Sequence, residues 1–417
     1  MDSSISQLHV AGWPDEEFEP VQLREQGHDI IRTWAFYSVL RTAALENEIP
    51  WENALINGMV LGSDGHKMSK SRGNFVQPEE VVEEYSADAF RQAIALGGSP
   101  GSDVQVGMED AKTASRFLTK VWNILRFATS KLDSQSIYFD EDNLADADKW
   151  ILTKFQRTSD SIDKSLKNYE FDKALRNLKE FVWHDLADDY VELIKGRLYE
   201  DESNTGCQAA EYTLDTVLSG VIRMLSIYAP FFAEEAWRHL PGRNESVHRQ
   251  TWPTEVPCDE SAYDRGETVA AVASAVRSWK SDEGLSLNAP LDRLDLYDLG
   301  ITELDTVDLS SAVNSEVYLH KSTPDYERVL SDVSADYSQL GPKFGNDTEE
   351  IVKKVENMEL ETLESKLNGH HFMLDVGGSS YEIPTEAFDL EYEFRGESGQ
   401  RVEIIETDHA TIVIMPN

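Results

Sequence analysis

The stretch Asn57–Asn74, which reads NGMVLGSDGHKMSKSRGN, constrains this 417-residue chain more than any other. Apolar residues at 54–56 and 59–61 predict a buried strand, and Ser63-Asp64-Gly65 is typical of a turn. The residues that follow, Lys67-Met68-Ser69-Lys70-Ser71, place two ammonium groups and two hydroxyls in a short loop. Lysine ammoniums neutralise the charge that develops on phosphates during phosphoryl chemistry. The pattern therefore predicts a loop that folds over a polyphosphate, and we call Lys67–Asn74 the lysine loop.

The charge of the chain is extreme. Asp and Glu number 77 against 38 Lys and Arg, which gives a formal net charge of −39 at pH 7. The acidic residues are spread along the whole chain, so a disordered acidic tail does not account for them. Hydrophobic residues make up 40% of the sequence, which favours a globular protein over a disordered one. We therefore expect a folded protein whose surface is adapted to high salt, where repulsion between carboxylates is screened.

The sequence carries no sign of a metal site, a disulfide framework or a membrane segment. Its two cysteines, Cys207 and Cys258, lie far apart and form no CxxC pair, so we expect neither zinc nor another protein-bound metal. No apolar run approaches the ~20 residues that a membrane helix needs, and the N-terminus lacks the pattern of a signal peptide. These features predict a soluble, cytoplasmic protein with no membrane partner.

A second candidate site precedes the lysine loop. Gly27 and Asp29 stand at the start of a helix predicted from Ile30 to about Leu45. A glycine lets the backbone approach a nucleoside closely, and a carboxylate two residues later can accept hydrogen bonds from ribose hydroxyls. An acid in the first turn of a helix is also common for helix stability alone. Ile30 and Trp34 are four residues apart and are predicted to share one helix face.

Breakers and periodicity divide the chain into three predicted parts. A glycine-proline cluster at 97–101 ends the first part, and helical apolar spacing then runs from about Glu109 to Leu240, with aromatic residues typical of a helical core. An acidic linker at 255–263 precedes short strands, a capping-box pattern at 347–350 and a hairpin around Asp408-His409. The predicted fold class is α/β plus all-α: an α/β domain at 1–107, a helical domain at 108–257 and a small α/β domain at 258–417.

Several stretches resemble the class Ia aminoacyl-tRNA synthetases. Lys67–Ser71 is similar to the KMSKS signature of class I, and this likeness outweighs the alternative of a solvated basic loop. Gly27–Trp34 (GHDIIRTW) resembles the segment of the branched-chain enzymes that meets the ATP ribose and the amino acid. Tyr169–Tyr199 looks like the anticodon-binding bundle, a likeness that extends to Trp252-Pro253. Ser99–Phe127 is most similar to the archaeal valine-specific branch, and the acidic composition points to a haloarchaeal source.

The resemblance implies a fold, a reaction and a set of site residues. It implies the second half of a Rossmann-like catalytic domain, followed by a helical anticodon-binding bundle. The reaction would be ATP-dependent activation of valine and its transfer to tRNA-Val, with Mg²⁺ accompanying ATP. Lys67 and Lys70 would be catalytic, with Lys70 neutralising the departing pyrophosphate, while Ile30 and Trp34 would border the valine side chain. The implied ATP-binding set is Gly27, Asp29, Gly58, Lys67, Met68, Ser69, Lys70 and Ser71.

The chain also departs from the pattern of this family. The first class I signature, His-x-Gly-His, does not occur in the sequence, and the family's editing domain is missing. The first ten residues look like the interior of a domain, so Met1 is expected to be an internal methionine or a fragment boundary. We therefore expect half of an active site joined to a whole tRNA-binding half, inactive alone, with the missing N-terminal half of the enzyme as a further partner.

The tRNA contacts and the final assignment stay open at this level. Lys112, Arg116 and Lys120 recur at i, i+4 and i+8 and are candidate tRNA contacts, although a solvated helix face fits the same spacing. One alternative function is a tRNA-binding protein with no chemistry. Another is an isoleucine–tRNA ligase, against which the segment Gly27–Trp34 argues.

Overall fold

The computed structural model describes residues 2–62, 64–74, 76–132, 139–201, 203–253, 255–300, 304–367, 369–396 and 399–416. The chain divides into two compact units, Met1–Glu267 and Thr268–Asn417. Among the described helices, none is both long and apolar enough to span a bilayer. The division into three domains stays a prediction, since the first unit holds both the α/β region and the helical region.

The region up to Gln105 is built on parallel strand pairs. Its helices and strands are α1 (Ser6–Val10), β1 (Val21–Gly27), α2 (Phe36–Glu46), β2 (Trp51–Asn57), β3 (Val60–Leu61), α3 (Pro78–Glu84), α4 (Ala87–Leu96) and β4 (Val104–Gln105). β1 pairs in parallel with β2, and β3 pairs in parallel with β4. Pro78 lies in the first turn of α3, and the Ser86 hydroxyl accepts from the Ala89 amide at 3.1 Å to start α4.

The segment between β1 and α2 differs from the single helix predicted there. His28–Ile30 is a 3₁₀ turn and Ile31–Ala35 is π-helical, so the α-helix begins only at Phe36. Ile30 stands at the junction with φ of −106° and ψ of 9°, outside the helical region. The i, i+4 argument for Ile30 and Trp34 is therefore wrong, because no continuous α-helix joins them.

Helices dominate the chain from Met108 to the end of the first unit. Their bounds are α5 (Met108–Thr129), α6 (Asp146–Lys167), α7 (Phe171–Glu180), α8 (Val191–Leu198), α9 (Thr205–Leu225), α10 (Pro230–His239) and α11 (Glu260–Asp282), with a π-helical segment at Phe181–Tyr190. Trp150, Phe155, Phe181 and Tyr190 are at most 1% exposed, which confirms the aromatic residues at these spacings as core. Gly220 is required beside them, since a Cβ there would lie 2.3 Å from the Phe155 ring.

The acidic run predicted as a linker at 255–263 is partly helical. The Asp259 carboxylate accepts from the amides of Ser261 and Ala262 at 3.0 and 3.1 Å, and α11 begins at Glu260. An aspartate at this position satisfies amides that have no partner within the helix. The acids of this stretch therefore start a helix as well as linking two parts of the chain.

The second unit is built on a sheet with strand order β6-β5-β12-β11-β10-β7. Its strands are β5 (Arg293–Tyr297), β6 (Val317–Leu319), β7 (Tyr326–Ala335), β8 (His371–Val376), β9 (Ser379–Pro384), β10 (Phe388–Gly396), β11 (Arg401–Glu406) and β12 (Thr411–Met415). Its helices beyond α11 are α12 (Val307–Val313), α13 (Tyr337–Phe344), α14 (Thr348–Glu356) and α15 (Leu360–Leu367). β11 and β12 pair antiparallel, which confirms the predicted hairpin, and β8 pairs with β9 apart from the main sheet.

The capping box predicted at 347–350 is not formed. Asp347 precedes α14, but its backbone is right-handed helical and its side chain makes no capping hydrogen bond. The Asp347 carboxylate instead accepts a hydrogen bond from the Tyr381 hydroxyl at 2.8 Å. The sequence pattern fails here because a tertiary partner takes the side chain that would cap the helix.

Lys280, near the end of α11, is a fully buried lysine with 0% exposure. Its ammonium donates to three backbone carbonyls, those of Leu287 at 3.2 Å, Ala289 at 2.7 Å and Val313 at 2.7 Å. A buried ammonium without acceptors costs several kcal/mol, so these carbonyls fix the loop after α11 around it. This loop is the stretch Gly284–Asn288.

Candidate functional site

The carboxyl ends of β1 and β2 meet at one edge of their sheet. Gly27, the last residue of β1, is in register with Asn57, the last residue of β2, and Gly58 follows directly. In parallel sheets, the edge formed by the carboxyl ends of the strands is where ligands bind. The structure thus brings together two regions that the sequence predicts separately, the glycine of GHDIIRTW and the start of the lysine-loop stretch.

The two glycines at this edge have close neighbours, a backbone carbonyl at Gly58 and a flexible side chain at Gly27. A Cβ on Gly58 would lie 2.1 Å from the Ser102 carbonyl oxygen, so no other residue fits without moving the backbone. The amide of Met59 donates to the Asp103 carboxylate at 2.7 Å, and this hydrogen bond joins the same two segments of the chain. A Cβ on Gly27 would lie 2.8 Å from a carboxylate oxygen of Asp29. Asp29 lies in the 3₁₀ turn after β1, and its side chain is exposed to solvent.

Asn74 holds the lysine loop closed. Its side-chain oxygen accepts from the Ser69 amide at 2.8 Å, and its amide nitrogen donates to the two carboxylate oxygens of Asp64 at 3.0 and 3.1 Å. The same nitrogen lies 3.3 Å from the carbonyl oxygens of His66 and Lys67. The hydrogen bond from Asn74 and that from the His66 amide lower the pKa of Asp64, so the carboxylate stays ionised. One amide side chain therefore ties both ends of the loop together.

Within the loop, the structure describes the surroundings of Lys67, Ser69 and Ser71. Lys67 forms a single antiparallel bridge with Leu61, and its side chain is exposed with no carboxylate within ion-pair distance among the described residues. The hydroxyls of Ser69 and Ser71 lie 2.7 Å apart, and Lys70–Arg72 is a 3₁₀ turn. The Lys70 side chain, Ser63 and Phe75 lie outside the described structure. The roles of Lys67, Met68, Lys70 and the two serines stay predictions.

Trp34 lies against the sheet. Its ring stacks on Trp51 with centroids 6.1 Å apart and an interplanar angle of 8°, and the Arg24 guanidinium lies 4.1 Å from the ring centroid. The indole nitrogen donates to the Ser3 carbonyl at 2.8 Å. Ile30 is 37% exposed. The structure thus gives Trp34 a fixed position, while the role of both residues in an amino-acid pocket stays a prediction.

The three predicted tRNA contacts on α5 differ in what surrounds them. Lys112 pairs with Glu109 at 3.2 Å, and Lys120 pairs with Asp188 at 2.8 Å and lies 5.3 Å from the Trp183 ring centroid. Arg116 is exposed, with no ion pair among the described residues. Two of these three cations are therefore already neutralised by carboxylates.

The role of Asn74 is the part of the site that sequence reasoning misses. The sequence shows one Asx residue just before the loop, Asp64, and another as its last residue, Asn74, and that pairing is the signal that points to it. Among the described residues, no group of three or more His, Cys, Asp or Glu side chains is arranged to hold a metal ion.

Comparison with family models assigns two regions of the chain. Residues 1–107 match the model of the tRNA synthetases class I (I, L, M and V). Residues 148–295 match the model of the anticodon-binding domain of tRNA ligase. The lysine loop lies in the first matched region, and α6 to β5 lie in the second.

Curated relatives match almost the whole chain. A valine–tRNA ligase of Natronomonas pharaonis is 54% identical over 415 residues, which cover 99% of this chain and 47% of that protein. A valine–tRNA ligase of Methanosarcina barkeri is 43% identical over 423 residues, covering 100% of this chain and 48% of that protein. The chain thus spans about half the length of these relatives.

A solved structure shares the fold. A LeuRS of Agrobacterium radiobacter K84, in a ternary complex with tRNA and LeuAMS, matches with a TM-score of 0.51 and 22% identity. The match covers 63% of this chain and 33% of that protein. This likeness supports the predicted fold class, α/β followed by a helical domain.

Proposed function

This chain belongs to the class I tRNA synthetases, and from that premise we propose that it forms part of a valine–tRNA ligase. The proposed reaction is the activation of valine by ATP, with release of pyrophosphate, and the transfer of the valyl group to tRNA-Val. The identity of 54% to a valine–tRNA ligase over 99% of the chain carries this proposal. Because this reaction serves translation, we also propose that the protein acts in the cytoplasm.

The lysine loop is proposed to act on the ATP phosphates. Lys67 and Lys70 bind the phosphates, and Lys70 neutralises the charge that moves onto pyrophosphate as the valine carboxylate attacks the α-phosphorus. Ser69 and Ser71 order the loop through their hydroxyl contact at 2.7 Å, and Met68 anchors it. The negative charge that the loop lysines neutralise is largest in the transition state. Removal of these lysines should therefore lower the rate of valine activation more than the affinity for ATP.

The sheet edge is proposed to bind the rest of the substrate. Gly27 and Gly58 let the backbone approach the adenosine, and the exposed carboxylate of Asp29 accepts from the ribose hydroxyls. Ile30 and Trp34 border the valine side chain. Mg²⁺ is proposed to arrive with ATP, bound by phosphate oxygens, as this ion prefers a few phosphate ligands and its own waters.

An uncovered apolar surface supports a partner for this region. Residues of β1, α2 and the segments beside them are between 37% and 56% exposed; they are Leu23, Ile30, Ile31, Phe36, Tyr37, Val39, Leu40, Leu45 and Ile49. Parallel sheets are normally covered on both faces, and a patch of this kind marks a protein interface. Gln26 is 5% exposed, yet its side-chain amide has no partner among the described residues. We propose that the remaining half of the relatives' length supplies the polypeptide that covers this surface.

Valine-dependent ATP–pyrophosphate exchange tests the proposal. The chain alone should give no exchange above a blank, because the sequence contains no His-x-Gly-His to hold the phosphates from the opposite side. Adding the other half of the enzyme as a separate polypeptide should restore exchange. Lys70→Ala should abolish the restored exchange, while the matched control Lys366→Ala, an exposed lysine of the second unit, should leave it intact.

Each contrary result has a separate meaning. Exchange by the lone chain would show that its catalytic machinery is complete. Exchange driven by isoleucine rather than valine would change the amino acid but keep the enzyme class. Binding of tRNA with no exchange in any combination would leave a tRNA-binding protein without chemistry.

A further inference from the structure

A cavity beside the end of α9 differs in the charge of its lining from two other cavities of the first unit. It has a volume of about 290 Å³ and is lined mainly by Arg223, Ser226, His248, Gln250, Thr251 and Trp252. Two other cavities, of about 380 and 330 Å³, are lined by carboxylates as well as cations, with Glu180 in both. The Arg223 cavity, as we call it, contains a guanidinium and no carboxylate in its lining. A lining with a cation and no carboxylate favours an anionic ligand, even in a chain with a net charge of −39.

Arg223 has guanidinium N–H groups that remain available for hydrogen bonding. Its Nε donates to the Ser219 carbonyl at 3.4 Å, and no carboxylate lies within ion-pair distance of it among the described residues. The nearby carboxylate of Asp215 is taken by Arg243 at 2.7 Å. Burial, followed by the positive charge of Arg243, lowers the pKa of Arg223. Asp215 thus pairs with only one of the two guanidiniums, and the group of Arg223, Arg243 and Asp215 keeps one uncompensated positive charge.

Capping of α9 does not account for Arg223. The carbonyls at the end of this helix already have partners: that of Ile222 accepts from the Ser226 amide at 3.0 Å, and that of Leu225 accepts from the Ala229 amide at 2.9 Å. Beyond the helix, Arg91 donates to the carbonyls of Ile227 and Tyr228 at 3.1 and 3.2 Å. The Arg223 guanidinium is therefore available to a ligand rather than needed by the helix end.

We propose that the Arg223 cavity is a binding site for a phosphate of an RNA backbone. The planar guanidinium forms paired hydrogen bonds to phosphate oxygens, and Gln250 and Thr251 add neutral donors at the rim. Trp252 offers an aromatic wall to the adjoining nucleotide and is fixed by its indole nitrogen, which donates to the Ser159 hydroxyl at 3.1 Å. The proposal rests on the proposed function, in which the chain binds tRNA, and it gives the Trp252-Pro253 motif a role.

The test compares tRNA binding by matched arginine variants over a range of molar KCl concentrations, in which the chain is expected to be folded. Arg223→Gln removes the proposed phosphate contact, and Arg249→Gln removes an exposed charge nearby that does not line the cavity. Arg223→Gln should weaken binding of a tRNA-Val transcript about 10-fold, and the slope of log K against log salt should fall by about 0.7–0.9, the effect of one phosphate contact. Arg249→Gln should change the affinity less than about 2-fold at the same salt, since exposed charges are well screened there.

Two further variants keep the test sharp if Arg223→Gln folds poorly. Arg223→Lys keeps the positive charge but lacks the planar guanidinium that forms paired hydrogen bonds. It should therefore retain the salt slope and bind with intermediate affinity. Thr251→Val changes an exposed hydroxyl of the rim and should weaken binding by about 2- to 3-fold without affecting thermal stability. Circular dichroism confirms that each variant is folded before binding is measured.

The outcomes separate this inference from the function on which it rests. A wild-type chain that does not bind tRNA would overturn both. A wild-type chain that binds, with Arg223→Gln and Arg249→Gln indistinguishable, would overturn the Arg223 cavity alone. Inorganic phosphate serves as a second probe: a thermal shift that disappears in Arg223→Gln, with tRNA binding unchanged, would assign the cavity to free anions and overturn the RNA assignment.

Discussion

The side-chain amide of Asn74 ties the two ends of the lysine loop together, so replacing that amide by a carboxylate should open the loop. Asn74→Asp removes the donor to Asp64 and places a second negative charge about 3 Å away. Limited trypsin digestion measures the result, because Lys67, Lys70 and Arg72 are cleavage sites within the loop. We expect cleavage there to be faster by about 10-fold, the effect of losing ~1.4 kcal/mol of local stability.

The matched control is Asn53→Asp on β2, which also loses a side-chain hydrogen bond to a carbonyl, that of Gln22 at 3.2 Å. It should leave loop cleavage unchanged. Equal cleavage of the loop in wild type and in Asn74→Asp would mean that the amide does not hold the loop closed.

Trp34 carries a prediction about amino-acid selection. In the enzyme completed by its other half, Trp34→Ala should raise the KM for valine and reduce the preference for valine over isoleucine by about 10-fold, within the ~1–3 kcal/mol that one methylene supplies. The KM for ATP should change little, because the lysine loop is intact. Trp51→Phe, which keeps an aromatic ring under Trp34, should behave like wild type. Unchanged valine kinetics in Trp34→Ala would remove this residue from the pocket.

Between helices, Lys154 joins three elements through two carboxylates. Its ammonium lies 2.9 Å from Asp185 on the π-helical segment and 2.5 Å from Glu267 on α11, and Trp150 also donates to Glu267 at 2.9 Å. Burial opposes the charge, but Glu267 and Asp185 together raise the pKa of Lys154. Burial raises the pKa of Asp185, so this carboxylate depends on the ammonium of Lys154 to stay ionised.

Lys154→Met should therefore destabilise the first unit by about 3 kcal/mol, because it leaves two partly buried carboxylates facing each other. Thermal unfolding at fixed KCl should show a Tm lower by roughly 6–10 °C. The control Lys167→Met breaks a surface pair with Asp163 and should shift the Tm by no more than about 2 °C. Equal shifts in the two variants would show that the buried cluster adds nothing to helix association.

At the level of helices and strands, what the sequence predicts depends on how local the signal is. Pro78 and Ser86 mark helix starts correctly, and the alternation in β11 and β12 predicts their pairing, because these signals act over a few residues. β1 escapes prediction because VQLREQG mixes charged and apolar residues, and its identity comes from pairing with β2, 30 residues later in register. The π-helical segments likewise depend on tertiary partners, as does the Asp347 side chain, which accepts from Tyr381 instead of capping α14.

The candidate site follows the same division. The prediction of the lysine loop rests on five consecutive residues, Lys67–Ser71, and its action on phosphates stays a prediction. The closure by Asn74 and the uncompensated charge of Arg223 are not predictable in this way, since each depends on residues brought together by the fold. Arg223 and Arg243 look alike in the sequence, yet only Arg243 pairs with Asp215 in the structure.

For the whole molecule, the net charge of −39 sets the conditions for folding. At ~0.1 M salt the Debye length is ~10 Å, so neighbouring carboxylates repel, whereas at ~1 M it is ~3 Å and they do not. We expect native circular dichroism and tRNA binding only in molar KCl. Full native structure and affinity at ~0.1 M KCl would contradict this.

A charge-reduced variant separates screening from other effects of salt. Glu79→Gln combined with Glu83→Gln removes two exposed acids from α3 and should shift the KCl midpoint of folding to lower concentration. An unchanged midpoint would mean that specific ion binding, rather than repulsion between acids, sets the requirement.

Lys280 follows a different rule from the acids at the surface. Its ammonium occupies a cage of three carbonyl oxygens, the kind of coordination that a potassium ion receives in a channel filter. Because this ammonium is part of the Lys280 side chain, it is not exchanged for a cation from the solution. It also stays in place when the salt is removed. The loop around it is thus held by a cation that belongs to the chain itself. Removal of salt should therefore destabilise the acidic surface first. The contacts between Lys280 and the three carbonyls should persist until the second unit itself unfolds.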